Sequence, residues 1–329
     1  YRTMSFPLCQ YPGRIVFLDD DVDYLEMLAL VLPKPWPVSL YLHPKGCINQ
    51  LQQEPPLWEA DAWAQQQLID RWRESGTPLI PQILHYWADS TARYAITRVC
   101  VVDYSMPSMD GLQALGELVD WPGMRVLLTG QADEQVAVKA FNRGLIDQFV
   151  AKQTPDISRH LIEVINRLLE NGHQRMSQTW RATLSPQQNA LLRVPSVGAA
   201  LRELVAKRWV QYIVIGQPFG VLGMDGDGHV AWLQLEPVEE LPDLTALAQT
   251  AGVPVQGVDD IRHGRKLADL ELRQSLGLTG AATLNPAFPV GREELLVAAL
   301  FPVPPELCPD PSRSFNRWLA QQPGRTVLD

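Results

Sequence analysis

Four short apolar runs in the first half of the chain each stop abruptly at a residue with chemical potential, and this pattern constrains the fold more than any other feature. Residues 14–18 end in Asp19-Asp20-Asp21, residues 98–102 in Asp103, residues 124–128 in Thr129, and residues 148–151 in Lys152. A continuous apolar run closed by polar residues reads as a strand buried on both faces of a parallel sheet. Residues 38–42 supply a fifth run. Between the runs, apolar residues recur at helical spacing, as in Leu25, Leu28, Ala29 and Leu32 before the stop at Pro33, and again over residues 111–119 and 133–143. Alternating strands and helices predict an α/β class with a doubly wound, five-stranded parallel sheet. Ligands bind such sheets beyond the carboxyl ends of the strands. That is where Asp19, Asp20, Asp103, Thr129 and Lys152 fall.

At 329 residues the chain exceeds one ordinary core, which predicts two domains. Hydrophobic residues at 46% and charged residues at 20% fit a globular chain rather than a disordered one. No apolar run approaches the roughly 20 residues of a spanning helix, and the N-terminus lacks a secretion-signal pattern. The four cysteines, Cys9, Cys47, Cys100 and Cys308, form no C-x-x-C pair. They fit neither a zinc site nor a disulfide framework, and together these features predict a cytoplasmic protein. Residues 50–95 are too long for a single crossover and carry Trp58, Trp63, Trp72 and Trp87. They read as a helical insertion of two or three helices, either a structural embellishment or a dimerisation or docking surface. Residues 156–182 read as a long amphipathic connector helix, with Gly172 as a break point. The predicted division is therefore 1–155, 156–182 and 183–329.

The run Asp103-Tyr-Ser-Met106-Pro107-Ser-Met109-Asp110-Gly111, with an acidic pair, a Thr and a Lys in matching order, resembles the phosphoacceptor signature of receiver domains in two-component response regulators. The resemblance covers residues 14 to about 170, less the insertion. It implies a flavodoxin-like fold and an aspartyl-phosphate chemistry. Asp103 would be the nucleophile toward phosphorus. Because the transferred group carries spread negative charge, a hard cation is needed, and the resemblance implies Mg2+ held by Asp20, Asp103 and the backbone carbonyl of Ser105. Asp19 would act at the metal directly or through water. Asp21, third in the acidic run, reads as the N-cap of the first helix. Lys152 would pair with phosphoryl oxygens as a point charge, and Thr129 would offer its hydroxyl. Phe149 matches the aromatic switch position that accompanies Thr129, and plain core is its alternative. Two departures stand out: Gln153 follows the Lys where receivers usually carry Pro, and Gly130 follows the Thr where a larger small residue is usual. The implied partner is a sensor histidine kinase or phosphotransfer protein, with a homodimer as a further possibility.

The second half carries no catalytic signature. The predicted hairpin of residues 219–235, turned by Asp225-Gly226-Asp227-Gly228, is weakly similar to the opening of PAS-type sensor domains. An α+β output domain that binds a protein or a small ligand is the reading. Asp225 and Asp227 are turn residues rather than calcium ligands, because an EF-hand glutamate is missing. Residues 180–329 hold 13 Arg/Lys against 16 Asp/Glu, a net of −3. Nucleic-acid affinity needs a basic face, and Arg262, Arg265 and Lys266 beside Asp259-Asp260 look like an ordinary charged helix. DNA binding and a receiver-controlled enzyme remain as alternative outputs.

Overall fold

A computed structural model of the chain describes residues 5–329. They fall into two compact units, each assembled from separated segments: 12–63, 91–172 and 318–329 in one, and 5–11, 64–90 and 173–317 in the other.

In chain order, β1 (Cys9–Gln10) precedes β2 (Arg14–Leu18), α1 (Val22–Val31), β3 (Val38–Tyr41) and α2 (Pro44–Gln52). Two helices follow, α3 (Pro55–Ser75) and α4 (Leu79–Asp89), then β4 (Thr97–Asp103), α5 (Gly111–Gly116), β5 (Met124–Thr129), α6 (Glu134–Asn142), β6 (Gln148–Ala151) and α7 (Ile157–Arg181). Helix α7 runs through Gly172 without interruption.

The remainder comprises α8 (Pro186–Leu192), α9 (Pro195–Arg208), β7 (Gln211–Gly216), β8 (Phe219–Met224), β9 (Val230–Pro237), α10 (Leu241–Thr250), α11 (Val255–Arg262), β10 (Lys266–Ala268) and α12 (Leu270–Leu276). It closes with β11 (Leu284–Pro286), β12 (Phe288–Pro289), β13 (Leu296–Pro302), α13 (Phe315–Ala320) and β14 (Val327–Leu328). Apolar residues recur at helical spacing across residues 257–276, a pattern that by itself predicts helix throughout. Instead Gly264, at φ +68°, ends α11, and the chain crosses β10 before α12 begins.

The first unit is a parallel sheet in the order β14-β3-β2-β4-β5-β6. Alternate side chains of each central strand enter opposite cores. Ile15, Phe17, Val99 and Val101 pack with Leu25 and Leu28 of α1 and with Leu161, Val164, Ile165 and Leu168 of α7. Val16, Leu18, Cys100 and Val102 pack with α2, α5 and α6 through Ile48, Leu51, Leu115 and Ala140. This two-sided burial is why the runs are continuous rather than alternating. Five strands were expected and the sheet has six, because β14 pairs in parallel with the outer edge of β3. Arg325 fixes that return by donating to the carbonyls of Ala29, Leu32, Pro33 and Trp36 around the end of α1, and the added strand shields an edge that would otherwise be open to pairing.

The second unit holds an antiparallel sheet in the order β1-β7-β8-β9-β13-β12 and a small β10-β11 pair. The predicted hairpin is β8–β9, and Asp225 closes its turn by accepting from the backbone of Asp227 and His229, each at 2.9 Å. The insertion is not an appendage. From residue 64 onward it belongs to this unit, where Leu68, Ile69, Ile80, Ile83 and Trp87 enter the core beside Leu201, Ile213 and Trp232. Gln65 of α3 accepts from the Tyr11 hydroxyl at 2.6 Å and from the Trp180 indole at 3.0 Å, which fixes the helix among three buried polar groups. Apolar helical spacing marks a buried face without naming the core it enters, so the sequence could not assign the insertion.

Candidate functional site

The carboxyl ends of β2, β4, β5 and β6 bring Asp19, Asp103, Thr129 and Lys152 to one edge of the parallel sheet. Asp103 is the last residue of β4 and Thr129 the last of β5, while Asp19 and Lys152 directly follow β2 and β6. Lys152 Nζ lies 2.6 Å from Asp19 Oδ2 and 3.1 Å from Asp103 Oδ1, and is 4.8 Å from the centre of the Tyr24 ring. Asp20 is exposed and turned to the same point: one oxygen each from Asp19, Asp20 and Asp103 lie within 4.8 Å of one another. Three hard oxygen donors at that spacing suit a magnesium ion that keeps several waters.

The electrostatics match a site that awaits positive charge. Burial pushes the Asp103 carboxyl up to about 6, and the charge of Asp19 adds to the rise against the pull of Lys152. Asp19 is likewise raised, first by burial, despite its hydrogen bonds from Lys152 and the Asp21 backbone. Burial works against the Lys152 ammonium, but the hydrogen bond and charge of Asp19, then the charge of Asp103, outweigh it and hold its pKa above the usual lysine value. Burial also raises the Tyr24 phenol to about 12. One ammonium between two buried carboxylates leaves the cluster a net anion.

Local sequence explains the precision. Asp21 caps α1, accepting from the Tyr24 backbone at 3.1 Å, which leaves Asp19 and Asp20 for the site. Asp110 opens α5 with a reciprocal capping box to Gln113. At Gly111 a β-carbon would lie 2.4 Å from the Asp103 carbonyl oxygen, so only glycine lets α5 start this close to the end of β4. Its N–H donates to the Tyr104 carbonyl at 2.9 Å, tying down the loop that carries the exposed Ser105. Thr129 is buried, with its hydroxyl 3.5 Å from the Val150 carbonyl. Gly130 N–H donates to Asp133 at 3.1 Å, closing the turn after β5. Phe149 is half-buried, edge-on to Phe141 with ring centres 6.4 Å apart. The sole cis peptide among the described residues is Gln217–Pro218. The Lys152–Gln153 bond is thus trans, and the ammonium reaches both carboxylates all the same.

A supporting residue escaped the sequence reading. Glu54, buried just before α3, accepts from the Thr97 hydroxyl at 2.7 Å and the Trp121 indole at 3.0 Å, anchoring the start of β4. Its only sequence signal is an acidic residue in front of Pro55-Pro56.

The basic cluster of the other unit is spent locally. Arg262 pairs with Asp259 at 3.6 Å, Arg265 with Asp259 at 2.8 Å and Asp260 at 2.9 Å, and Lys266 with Asp260 at 3.5 Å.

No protein-family profile and no curated protein matches the chain. Among solved structures, the chain is similar to the Legionella pneumophila response regulator LqsR, at 22% identity over 99% of this chain and 100% of that one, with a TM-score of 0.74. The fold is that of the LqsR structure. A receiver domain of an HD domain-containing protein from Pseudomonas fluorescens aligns with half of the chain, at 17% identity, 93% of its own length and a TM-score of 0.35. The parallel-sheet unit has a flavodoxin-like fold, and the alignment with the LqsR structure takes in the antiparallel unit as well, since it covers 99% of this chain. No helix among the described residues is long and apolar enough to cross a membrane.

Proposed function

We propose that the protein is a phosphorylation switch of a two-component system, in which Asp103 accepts a phosphoryl group and the antiparallel unit delivers the output. The observation that carries this reading is the convergence of Asp19, Asp20, Asp103 and Lys152 at one sheet edge. Asp103 attacks the phosphorus of a phosphohistidine donor on a sensor kinase or phosphotransfer protein. A carboxylate-to-phosphorus bond forms, and the bond to the imidazole breaks with its electron pair leaving on nitrogen. Asp19, Asp20, Asp103 and the Ser105 carbonyl would hold Mg2+, whose charge lowers the repulsion between the carboxylate and the incoming phosphoryl oxygens. Lys152 turns its ammonium from Asp103 to a phosphoryl oxygen, keeping a positive charge over the group as it lands.

Once phosphorylated, the anion draws the Thr129 hydroxyl away from the Val150 carbonyl, where a bond of 3.5 Å offers little resistance. The space vacated beside Thr129 lets Phe149 leave Phe141 and turn inward. Shifting such an element from mostly one state to mostly the other needs about 5.5 kcal/mol of differential stabilisation. A dimer interface that forms in only one state can supply that difference. The output is binding of a partner protein or small ligand. DNA is disfavoured, since the one basic cluster of the second unit that the sequence singles out, Arg262, Arg265 and Lys266, is already paired with acids.

The test uses the full chain with acetyl phosphate or beryllofluoride and magnesium. Wild type is expected to take up a hydroxylamine-labile phosphoryl group and change its oligomeric state, while Asp103→Asn does neither. A folded wild type that gains no label and is indifferent to beryllofluoride sinks the reading.

A further inference from the structure

The antiparallel unit contains a second group of carboxylates, organised differently from the first. A cleft of about 210 Å³ is lined by Glu236 on β9, by Glu240 and Asp243 at the start of α10, and by Glu271 on α12. Glu236 is 8% exposed and the others stand around it, half-buried or open to solvent. No basic side chain lines the cleft, and none of the four makes an ion pair among the described residues. Gln234, two residues before Glu236 on β9, donates its side-chain amide to the Ala268 carbonyl at 2.9 Å, and its Oε1 is buried without a partner. Burying an ionised carboxylate without a counter-charge is costly. Burial, and then the charges of Glu271, Glu240 and Asp243, push Glu236 up to about 8.

We propose that this cleft is a binding site for a linear aliphatic polyamine, with one ammonium seated on Glu236 and the chain leading past Glu271 toward Trp72. Two features select that class of cation. No three of the cleft's carboxylates bring oxygens within 4.8 Å of one another, the spacing that the receiver triad alone reaches among the described residues. The cleft thus lacks the compact three-carboxylate donor set of the receiver site, and an ammonium, which pairs with carboxylates one at a time, suits it better. An adjoining cleft of about 230 Å³ shares Gln217, Pro218 and Glu271 with the first and adds Trp72. Methylenes can lie on that indole while a second ammonium meets the ring face or Glu271. Such a site would give the second body an input of its own, independent of phosphorylation.

Calorimetry on the full chain with spermidine, magnesium present throughout to occupy the receiver triad, tests the proposal. Saturable binding is expected, with about one proton or less released near neutral pH as Glu236 ionises on pairing. That release is read from the dependence of the heat on buffer ionisation. Glu236→Gln, which keeps the shape and removes the acid, should weaken spermidine at least about tenfold and abolish the proton release. If that variant does not fold, Glu271→Gln at the rim should show the same direction of loss. Several results overturn the proposal: no saturable heat with folded wild type, unchanged affinity in the variants, displacement of spermidine by calcium at matched ionic strength, or binding of a lysine-rich peptide where spermidine fails. None of these results bears on Asp103 chemistry.

Discussion

Each unit gathers acidic side chains at one place, and the two gatherings solve the same electrostatic problem in different ways. In the parallel-sheet unit, Asp19 and Asp103 are buried but share Lys152 within 3.1 Å, and Asp20 completes a donor set compact enough for a small ion. In the antiparallel unit, Glu236 is buried with three further carboxylates around it and no cation in the lining. The first cluster carries its own counter-charge and titrates Asp103 near 6, whereas the second lacks one and holds Glu236 near 8. Acidic residues alone therefore do not define a site. The spacing of their oxygens and the presence or absence of a built-in cation decide what they can hold.

The comparison breaks most severely if the built-in cation is removed. Lys152→Met should make the receiver cluster resemble the other one, leaving two buried carboxylates to repel each other. Losing one partner of a buried pair costs about 3–5 kcal/mol, and partial exposure of Lys152 places this site at about 3. The sign with pH follows from the carboxylates, whose folded pKa values lie above their unfolded ones. They bind more protons folded than unfolded, so stability falls as pH rises between about 4 and 6, and the variant should fall further than wild type. At pH 4 Asp103 is largely protonated, and the difference between the two proteins in denaturant unfolding should narrow. A pH-independent difference would mean that the lysine acts through packing instead.

Much of that cluster was legible without coordinates, and the reason is local. Strands buried on both faces must be apolar throughout, so the first polar residue after each run marks its carboxyl end, and Asp19, Asp103, Thr129 and Lys152 are those residues. Asp21 was legible as an N-cap by the same logic. Long-range assignments were not legible. Nothing in Val327–Leu328 shows that two residues will pair with β3, because a short edge strand has no periodicity of its own. Nothing in Leu68, Ile83 or Trp87 tells which core they enter. The cleft of the antiparallel unit was also hidden: its four acids come from β9, α10 and α12, and along the chain they look like the solvated acids of any globular protein.

The second cluster offers the opposite manipulation, in which removing an acid should help. Glu236 has a folded pKa of about 8 against an unfolded value near 4.3, so its ionisation is unfavourable to the folded state. Wild-type stability should therefore decline as pH rises from about 4.5 to about 8, while Glu236→Gln lacks this term. The variant is expected to gain about 2 kcal/mol over wild type at pH 8, with little gain at pH 4.5, in urea unfolding across that range. Destabilisation at high pH would mean that the carboxylate has a counter-charge, and the contrast between the clusters would fail.

The smallest expected effect sharpens the spacing argument. Magnesium should stabilise wild type against heat by about 1–3 kcal/mol once it exceeds its dissociation constant by ten- to a hundredfold, because it binds the folded triad and not the unfolded chain. Asp20→Asn keeps the fold, since that side chain is exposed, but removes one of three charged ligands, so most of the shift should vanish. Glu236→Gln should leave the magnesium shift intact, because no three carboxylates of the cleft form a donor set as compact as the receiver triad. Asp19 and Asp103 must ionise before they can serve as ligands, and burial raises both. The magnesium effect should accordingly grow as pH rises through about 6 and shrink below it. A magnesium shift that survives Asp20→Asn but is lost in Glu236→Gln would transfer the metal site to the antiparallel unit and reverse the roles of the two clusters.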